Sequence, residues 1–213
     1  DALNIRAGDT MVVESIEDLS VNCADHPDGR DVRQNAADLL RPIYLEQGDW
    51  EGQLRLMTAS LEDEDRLSER LRIRQEMAQL YQDNGADSSM ALECYGTGLV
   101  EDGLSVAGAD AFLALAAQLE AWEQLADVVG TIFAGNVVTV GDEDVQTSFV
   151  ERAAKLFQEN AEHLEHARAC NEYLLQDDPT NGQALERLDA ILTAMGDSEA
   201  LAEVLDNRVE LAS

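Results

Sequence analysis

The chain has 213 residues, 45% of them apolar but only 5% aromatic, so a core can form but must be built mainly from Leu, Ala, Val, Ile and Met. Its 44 acidic residues outnumber 14 basic ones and give a formal net charge of −30. Such a surface repels nucleic acid and anionic membranes, and no apolar run approaches the length of a membrane span. We expect neither nucleic acid nor a membrane as partner.

The acidity has three interpretations that composition leaves open: a solvated surface adapted to high salt, a surface that binds a basic protein, or mimicry of a DNA surface.

The three cysteines, Cys23, Cys94 and Cys170, are far apart and form no CxxC pair. A disulfide framework is therefore not expected, and a reducing compartment such as the cytoplasm is predicted.

A short phrase, Gly48-Asp49-Trp50, returns in altered form along the chain, at successive steps of 40, 37, 35, 40 and 36 residues. Gly or Asn adopts the left-handed conformation that ends a helix, and Asp caps the next helix. Each phrase therefore predicts an elbow between two helices, and a period in the thirties is typical of stacked helical hairpins. The other elbows are Gly8-Asp9, Gly85-Ala86-Asp87, Glu120-Ala121-Trp122, Asn160-Ala161 and Gly196-Asp197.

Apolar residues at helical spacing place the elements, in chain order. The expected hairpins are residues 1–24 (partial), 31–62, 65–103, 109–135, 145–178 and 182–211. In the first full hairpin Pro42 should bend the leading helix, and in the next Asp65 is the expected cap. The run from Asn136 to Gly141 has strand propensity but no partner run, so an extended connection is predicted. The stripes expected to be buried include Ala36, Leu39, Leu40, Ile43 and Tyr44; Leu67, Leu71, Met77, Ala78 and Tyr81; Ala91, Leu92, Tyr95 and Leu99; and Val204, Leu205 and Val209.

The second and fourth hairpins carry small and aromatic residues in a recurring order. Ala78 precedes Tyr81 by three residues, and Ala91 is followed by Tyr95 and Gly98. Ala167, Leu174 and Pro179 follow the same spacing. In this pattern the chain resembles the tetratricopeptide repeat family, although Arg74 and Gly103 stand where that family often has Trp and Pro. The long period leaves half-a-tetratricopeptide and HEAT-like arrays open.

The resemblance implies an all-α, right-handed α-solenoid of about five antiparallel hairpins. It also implies one repeat domain over residues 1–213, which we interpret as a fragment of a longer array. In that family the leading helices line a concave groove that binds a protein or peptide. By register, the groove residues would be Arg72, Gln75, Gln79 and Gln82 from the second hairpin, and Ser148, Glu151, Lys155 and Gln158 from the fourth. The competing interpretation is that all of them are ordinary exposed polar positions.

Arginines crowd one part of this acidic chain: Arg55, Arg66, Arg70, Arg72 and Arg74. Ion pairs within a helix, such as Glu62 with Arg66, are one interpretation. The other is a positive strip that holds a carboxylate terminus, an acidic peptide or the acidic flank of another copy.

A metal site is a further alternative, because His163, His166 and Cys170 fall on one arc of a helix and are zinc ligand types. The competing interpretation is a packed cysteine with two surface histidines. Carboxylate pairs are too common to single out, and the sequence has no Gly-rich phosphate loop and no GxSxG elbow.

These observations predict a non-catalytic protein-interaction scaffold with no cofactor. Its partner would be a protein or peptide. A basic protein and a second copy of the chain are both candidates. The alternatives are a structural spacer or regulatory arm of a larger protein, and a metal-dependent enzyme or sensor built on His163, His166 and Cys170.

Overall fold

The computed structural model describes residues 10–22, 29–84, 88–140 and 144–211 of the chain. These residues form eleven α-helices and contain no β-strand, so the predicted all-α fold is confirmed. A π-helical turn, Gly98–Asp102, extends α5, and a 3-10 turn, Ala161–His163, precedes α9. The helices are α1 Thr10–Asn22, α2 Gly29–Gln47, α3 Trp50–Asp63, α4 Leu67–Asp83, α5 Ser88–Thr97, α6 Val106–Leu119, α7 Trp122–Phe133, α8 Val145–Gln158, α9 Leu164–Asp177, α10 Gly182–Met195 and α11 Ser198–Leu211.

Three of the predicted elbows share one backbone geometry. The chain is left-handed at Gly48, Glu120 and Gly196, with φ of 67°, 53° and 75°. After each, the next amide donates to a carbonyl five residues back, as Asp49 N does to Tyr44 O at 2.9 Å. This is the Schellman pattern, which satisfies carbonyls at the end of a helix. A new helix then begins within two residues of each.

Side chains cap several of the helices that follow. Asp49 accepts a hydrogen bond from Gly52 N at 2.8 Å, and Asp197 accepts one from Ala200 N at 3.1 Å. Asn160 likewise accepts one from Glu162 N at 3.1 Å, which starts the 3-10 turn. At these three elbows a side chain therefore caps the helix or turn that follows, as predicted. The expected elbows at residues 8–9 and 85–87 lie outside the described residues.

The predicted cap at Asp65 is wrong. Arg66 occupies the N-cap position of α4 and makes no side-chain capping bond. Its amide instead donates to the Glu64 carboxylate at 2.8 Å, while Asp65 pairs with Arg30 of α2 at 3.0 Å. Asp65 lies one residue before the N-cap position, and its pair with Arg30 connects α2 to the segment between α3 and α4.

The extended connection before α8 pairs with the backbone between the π-helical turn and α6. Leu104 N donates to Val138 O at 2.7 Å, and Val140 N donates to Leu104 O at 2.9 Å. These bonds form an isolated parallel bridge between Leu104 and Thr139. The extended conformation is as expected, whereas its partner was not predicted, since one residue carries no strand pattern.

The contacts divide the chain into two compact units, Asp1–Asp87 and Ser88–Ser213. We call them unit 1 (α1–α4) and unit 2 (α5–α11). Their boundary lies between α4 and α5, the two helices of the second expected hairpin. The pairing of that hairpin, the single domain and the right-handed superhelix therefore stay predictions.

Most of the expected apolar stripes are buried in the cores of the two units. Leu40, Ala78 and Ala91 are fully buried, as are Phe112, Phe149 and Phe157 of unit 2. Four residues expected in these stripes are exposed instead: Leu39 (41%), Leu67 (39%), Leu205 (43%) and Val209 (67%).

Position on the helix explains three of these exposed residues. At 100° per residue, Leu39 lies about 40° beyond the arc that holds the buried residues of α2. Leu67 is the first residue of α4, and Val209 is in the last turn of α11, where fewer neighbours surround a side chain. Nothing in the structure explains the exposure of Leu205.

Candidate functional site

Unit 1 contains an open groove of about 760 Å³ between α2, α3 and α4, which we call the unit-1 groove. Its floor includes Leu56, Met57 and Ile73, and charged side chains form most of its walls. An apolar floor within polar walls is the common form of a binding cleft. The other lining residues are Arg30, Asp31, Gln34, Arg41, Leu45, Gln53, Ser60, Asp63, Glu64, Asp65, Arg66, Glu69, Arg72 and Glu76.

Arg72 stands in this groove between two glutamates of its own helix. Its guanidinium donates to Glu69 at 3.1 Å through Nε and also pairs with Glu76. The hydrogen bond from Arg72 lowers the pKa of Glu69, and the bond to Glu69, together with that to Glu76, raises the pKa of Arg72. Half of the Arg72 side chain is still exposed, so both pairs are open to water and each contributes little to stability.

Arg66 pairs with Glu64, not with Glu62 as the helical spacing suggested. Its guanidinium donates to both Glu64 oxygens, at 3.0 and 2.8 Å. Side-chain and backbone hydrogen bonds from Arg66 lower the pKa of Glu64 to about 2. The expected pair with Glu62 assumed a single helix, but α3 ends at Asp63 and α4 begins at Leu67.

Two arginines fasten the helices around the groove. Arg33 of α2 donates to Asp63 at the end of α3 at 2.7 Å, and this half-buried pair lowers the pKa of Asp63. Arg70 of α4 donates to the carbonyl of Leu61 at 2.6 Å. Arg70 thereby satisfies a carbonyl at the C-terminus of α3, where backbone acceptors are otherwise unpaired. These contacts hold the walls at fixed spacing.

Arg41 differs from the other groove arginines. It is exposed on α2, lines the groove and makes no ion pair within the described part of the chain. Since Arg30, Arg66 and Arg72 each have an acidic partner, a carboxylate entering the groove would find Arg41 uncompensated.

Arg55 lies outside the groove. It pairs with Glu17 of α1 at 3.2 Å and sits over the Tyr44 ring, 5.8 Å from its centroid. Tyr44 donates a hydrogen bond to the same carboxylate. Burial, followed by this hydrogen bond, raises the pKa of Tyr44 to about 12. Arg55, Arg66, Arg70 and Arg72 therefore each make a different contact within unit 1. A positive strip that binds a partner stays a prediction.

The residues expected to bind a partner lie on two helices. On α4, Arg72 lines the unit-1 groove, whereas Gln75, Gln79 and Gln82 are not among its lining residues. Gln79 donates to Asp83 at 2.8 Å. On α8, Lys155 is exposed, and Glu151 and Gln158 are half-buried. Because α4 belongs to unit 1 and α8 to unit 2, a shared groove for these two sets stays a prediction.

Sequence reasoning missed the wall that α2 supplies. Arg30, Gln34, Arg41 and Leu45 all line the groove. At 100° per residue they fall within an arc of about 60°, so they share one face of the helix. This spacing on α2 could have indicated a shared groove wall, but the repeat register placed the groove residues on α4.

His163, His166 and Cys170 do not form a metal site. Cys170 is fully buried in unit 2, where desolvation raises the pKa of its thiol to about 12. His166 stacks on Phe157 at 5.1 Å between ring centroids, and His163 lies 5.6 Å from the Trp122 ring. In the described ranges, no group of three or more His, Cys, Asp or Glu is placed to hold a metal ion. The packed-cysteine interpretation fits these contacts.

Two further findings concern the compartment and the membrane. Cys94 and Cys170 are free thiols, while Cys23 lies outside the described residues. Among the described helices, none has the length and apolar character needed to cross a bilayer.

Comparison with known proteins gives matches to solved structures alone. No protein-family model and no curated protein matches the sequence. Two crystal structures of MamA are similar, at 13% and 14% identity and TM-scores of 0.41 and 0.39; the matches cover 86% and 79% of this chain and 91% and 94% of those chains. A tetratricopeptide repeat protein from Parabacteroides merdae matches at 18% identity and a TM-score of 0.36, over 95% of this chain and 72% of its own.

Proposed function

We propose that the chain is a non-catalytic protein-interaction scaffold that binds an extended segment of a partner protein in the unit-1 groove. The observation that carries this proposal is the groove itself, an open cleft of about 760 Å³ with an apolar floor and charged walls. Both signs of charge line it, so the expected segment carries acidic as well as basic side chains around an apolar anchor.

The exposed ion pairs of the groove walls allow a bound segment to replace one of the paired residues. A surface ion pair contributes only about 0–1 kcal/mol, so Glu69 or Glu76 can yield Arg72 to a partner's carboxylate at small cost. Arg41 can accept a carboxylate without losing a pair. The half-buried Arg33–Asp63 pair keeps the cleft preorganised, which reduces the entropy lost on binding.

The non-catalytic part of the proposal is supported by the side chains considered for chemistry. The Cys170 thiol is buried and stays protonated at neutral pH because its pKa is near 12. His163 and His166 pack among aromatic rings. None of the three is arranged as a nucleophile beside its base.

Site-specific photo-cross-linking tests this function. Benzoylphenylalanine is placed at Leu45, which is 60% exposed and lines the groove, and at Leu205, which is 43% exposed on α11 of unit 2. In cell extract, we expect discrete protein adducts at position 45 that are absent at 205. A second substitution, Arg72→Glu, should reduce these adducts. Identical adducts at both positions, or none at 45, would contradict the proposal.

The other partner-binding residues that the repeat register implies also remain proposals. They are Gln75, Gln79, Gln82, Glu151, Lys155 and Gln158. If they bind a partner as the repeat register implies, then Lys155→Glu should also weaken its capture. An unchanged capture with Lys155→Glu, together with a loss for Arg72→Glu, would restrict binding to the unit-1 groove.

A further inference from the structure

Unit 2 contains a different groove, of about 440 Å³, between α5 and α7. We call it the unit-2 groove. Leu92 and Gly96 of α5, Phe112 of α6 and Val128 of α7 line its floor. All four are buried residues of the unit, so the groove opens directly onto the apolar core.

Gly96 keeps this floor low. A Cβ atom at position 96 would lie 3.1 Å from Phe112 Cε2 and 3.8 Å from Val128 Cγ2. The absence of a side chain at position 96 leaves a recess beside Phe112 and Val128, which a larger residue would fill. The floor is thus shaped to receive an apolar side chain.

The π-helical turn forms one end of the groove. Val100 and Glu101, which both line it, belong to this turn. The turn also packs against α7. π-helical turns are rare and occur frequently at functional sites. Here the turn fixes the separation of α5 and α7 at one end and leaves the groove open along α5.

The rim of the groove is acidic. Glu93, Glu101 and Asp127 line it and are exposed. No lysine, arginine or histidine occurs between Arg74 and Arg152 in the sequence, and every residue that lines the groove falls in this stretch. The unit-1 groove differs in this respect, because four arginines stand among its acidic residues.

We propose that the unit-2 groove binds an amphipathic helix of a partner protein whose apolar face is bordered by lysine or arginine. An apolar floor between two helices accepts such a helix through side chains at positions i, i+3, i+4 and i+7. The acidic rim pairs with the cations and sets the orientation. Between Ser89 and Glu101 the groove runs for about 18 Å, at 1.5 Å per residue, which matches roughly three helical turns of a partner.

Charge decides against a second copy of the chain as the occupant. Each copy carries a net charge of −30, and bringing two such surfaces together adds repulsion at the rim. A basic helix is attracted by the same field, which also accelerates association.

The test uses the full chain and a fluorescent peptide of about 14 residues, made of leucine and lysine with leucines at i, i+3, i+4 and i+7. A second peptide has the same composition in scrambled order, so it keeps the charge and loses the apolar face. Binding is followed by fluorescence anisotropy. We expect the ordered peptide to bind at least about tenfold more tightly, a difference of about 1.4 kcal/mol. Equal binding of both peptides would overturn the proposal, because attraction would then be due to charge alone.

Matched variants locate the site. Glu93→Lys with Asp127→Lys (the rim pair) reverses two charges on the rim, and Glu165→Lys with Glu186→Lys reverses two exposed charges on α9 and α10, which contribute no lining residue. We expect the first pair to weaken the ordered peptide by about tenfold or more and the second by less than about threefold. Equal weakening by both pairs would overturn the proposal. The proposal would also be overturned if analytical ultracentrifugation showed a dimer that the rim pair abolishes and the other pair does not.

The unit-2 groove shares no residue with the unit-1 groove. Arg72→Glu should therefore leave peptide binding unchanged, and the rim pair should leave the cross-links at position 45 unchanged. These crossed controls show which of the two proposals has failed if either does.

Discussion

At the scale of single residues, three elbows depend on a residue in the left-handed conformation. Gly48 and Gly196 occupy it without cost, whereas Glu120 adopts φ of 53° despite its side chain. The left-handed conformation raises the free energy of a non-glycine residue by roughly 1–2 kcal/mol, because Cβ crowds the following carbonyl. The Glu120 side chain is exposed, so it provides no packing in return.

We therefore expect Glu120→Gly to stabilise the protein. Relief of the left-handed strain exceeds the ~0.4–1 kcal/mol that the added freedom of glycine gives the unfolded chain, so the free energy of unfolding should rise by about 0.5–1 kcal/mol. Gly196→Ala is the converse variant and should lower it by a similar amount. Urea unfolding measures both. A destabilised Glu120→Gly would show that position 120 is not left-handed in solution.

At the scale of elements, the bridge between the extended connection and Leu104 depends on Gly103. Its φ is 125°, and a Cβ atom there would lie 2.5 Å from Val140 Cγ2 and 3.2 Å from Val138 O. Neither the conformation nor the space admits a side chain. The connection must move away if one is introduced.

Gly103→Ala is accordingly expected to lower the free energy of unfolding by about 1–3 kcal/mol. Amide exchange at Leu104 and Val140 should accelerate as the bridge opens. Gly130→Ala is the matched control: Gly130 lies within α7, a Cβ there meets nothing within 4 Å, and alanine should stabilise the helix by up to about 1 kcal/mol. Similar effects of the two substitutions would refute the role of the bridge.

The sequence predicted the helices well because the elbows at Gly48 and Gly196 combine two local signals. A left-handed residue and a capping carboxylate act within a few residues, so Gly48 and Asp49 could be interpreted without knowledge of the fold. The pairing of Leu104 with Thr139 depends on residues 35 positions apart and left no local trace. Leu39 was misplaced because it follows Ala36 by three residues, a helical spacing, although it lies about 40° outside the arc that the buried residues of α2 occupy.

The candidate sites were less predictable than the helices. Arg72 was expected in a groove and lines one, but its walls come also from α2 and α3. Charge patterning could not show that Arg66 pairs with Glu64, since this depends on a helix break at residues 64–66. The acidic rim of the unit-2 groove did have a sequence signal, the long stretch without a cation.

At the scale of the whole molecule, the uneven charge distribution predicts an uneven response to salt. Raising the ionic strength from about 0.1 to about 1 M shortens the Debye length from about 10 to about 3 Å. Repulsion among acidic residues is then screened, so the melting temperature should rise. In α4 the screening also weakens attractive pairs such as Arg72–Glu69.

Hydrogen exchange resolved along the chain measures this difference. We expect sodium chloride to increase amide protection more in α6 and α7, which lie in the stretch without cations, than in α4. Sucrose is the control, because it favours the compact state by exclusion without screening charge. A melting temperature that is flat or falls with salt would rule out charge relief. It would also leave the high-salt interpretation of the composition without support.

The exposed amine on α8 has a practical consequence. Lys155 is the sole lysine of this sequence, and its side chain is open to solvent. Acylating reagents, and any enzyme that modifies lysine, have one side-chain target here. A dye or a solid support can thus be coupled at a defined point of unit 2, leaving every side chain that lines the unit-1 groove chemically untouched.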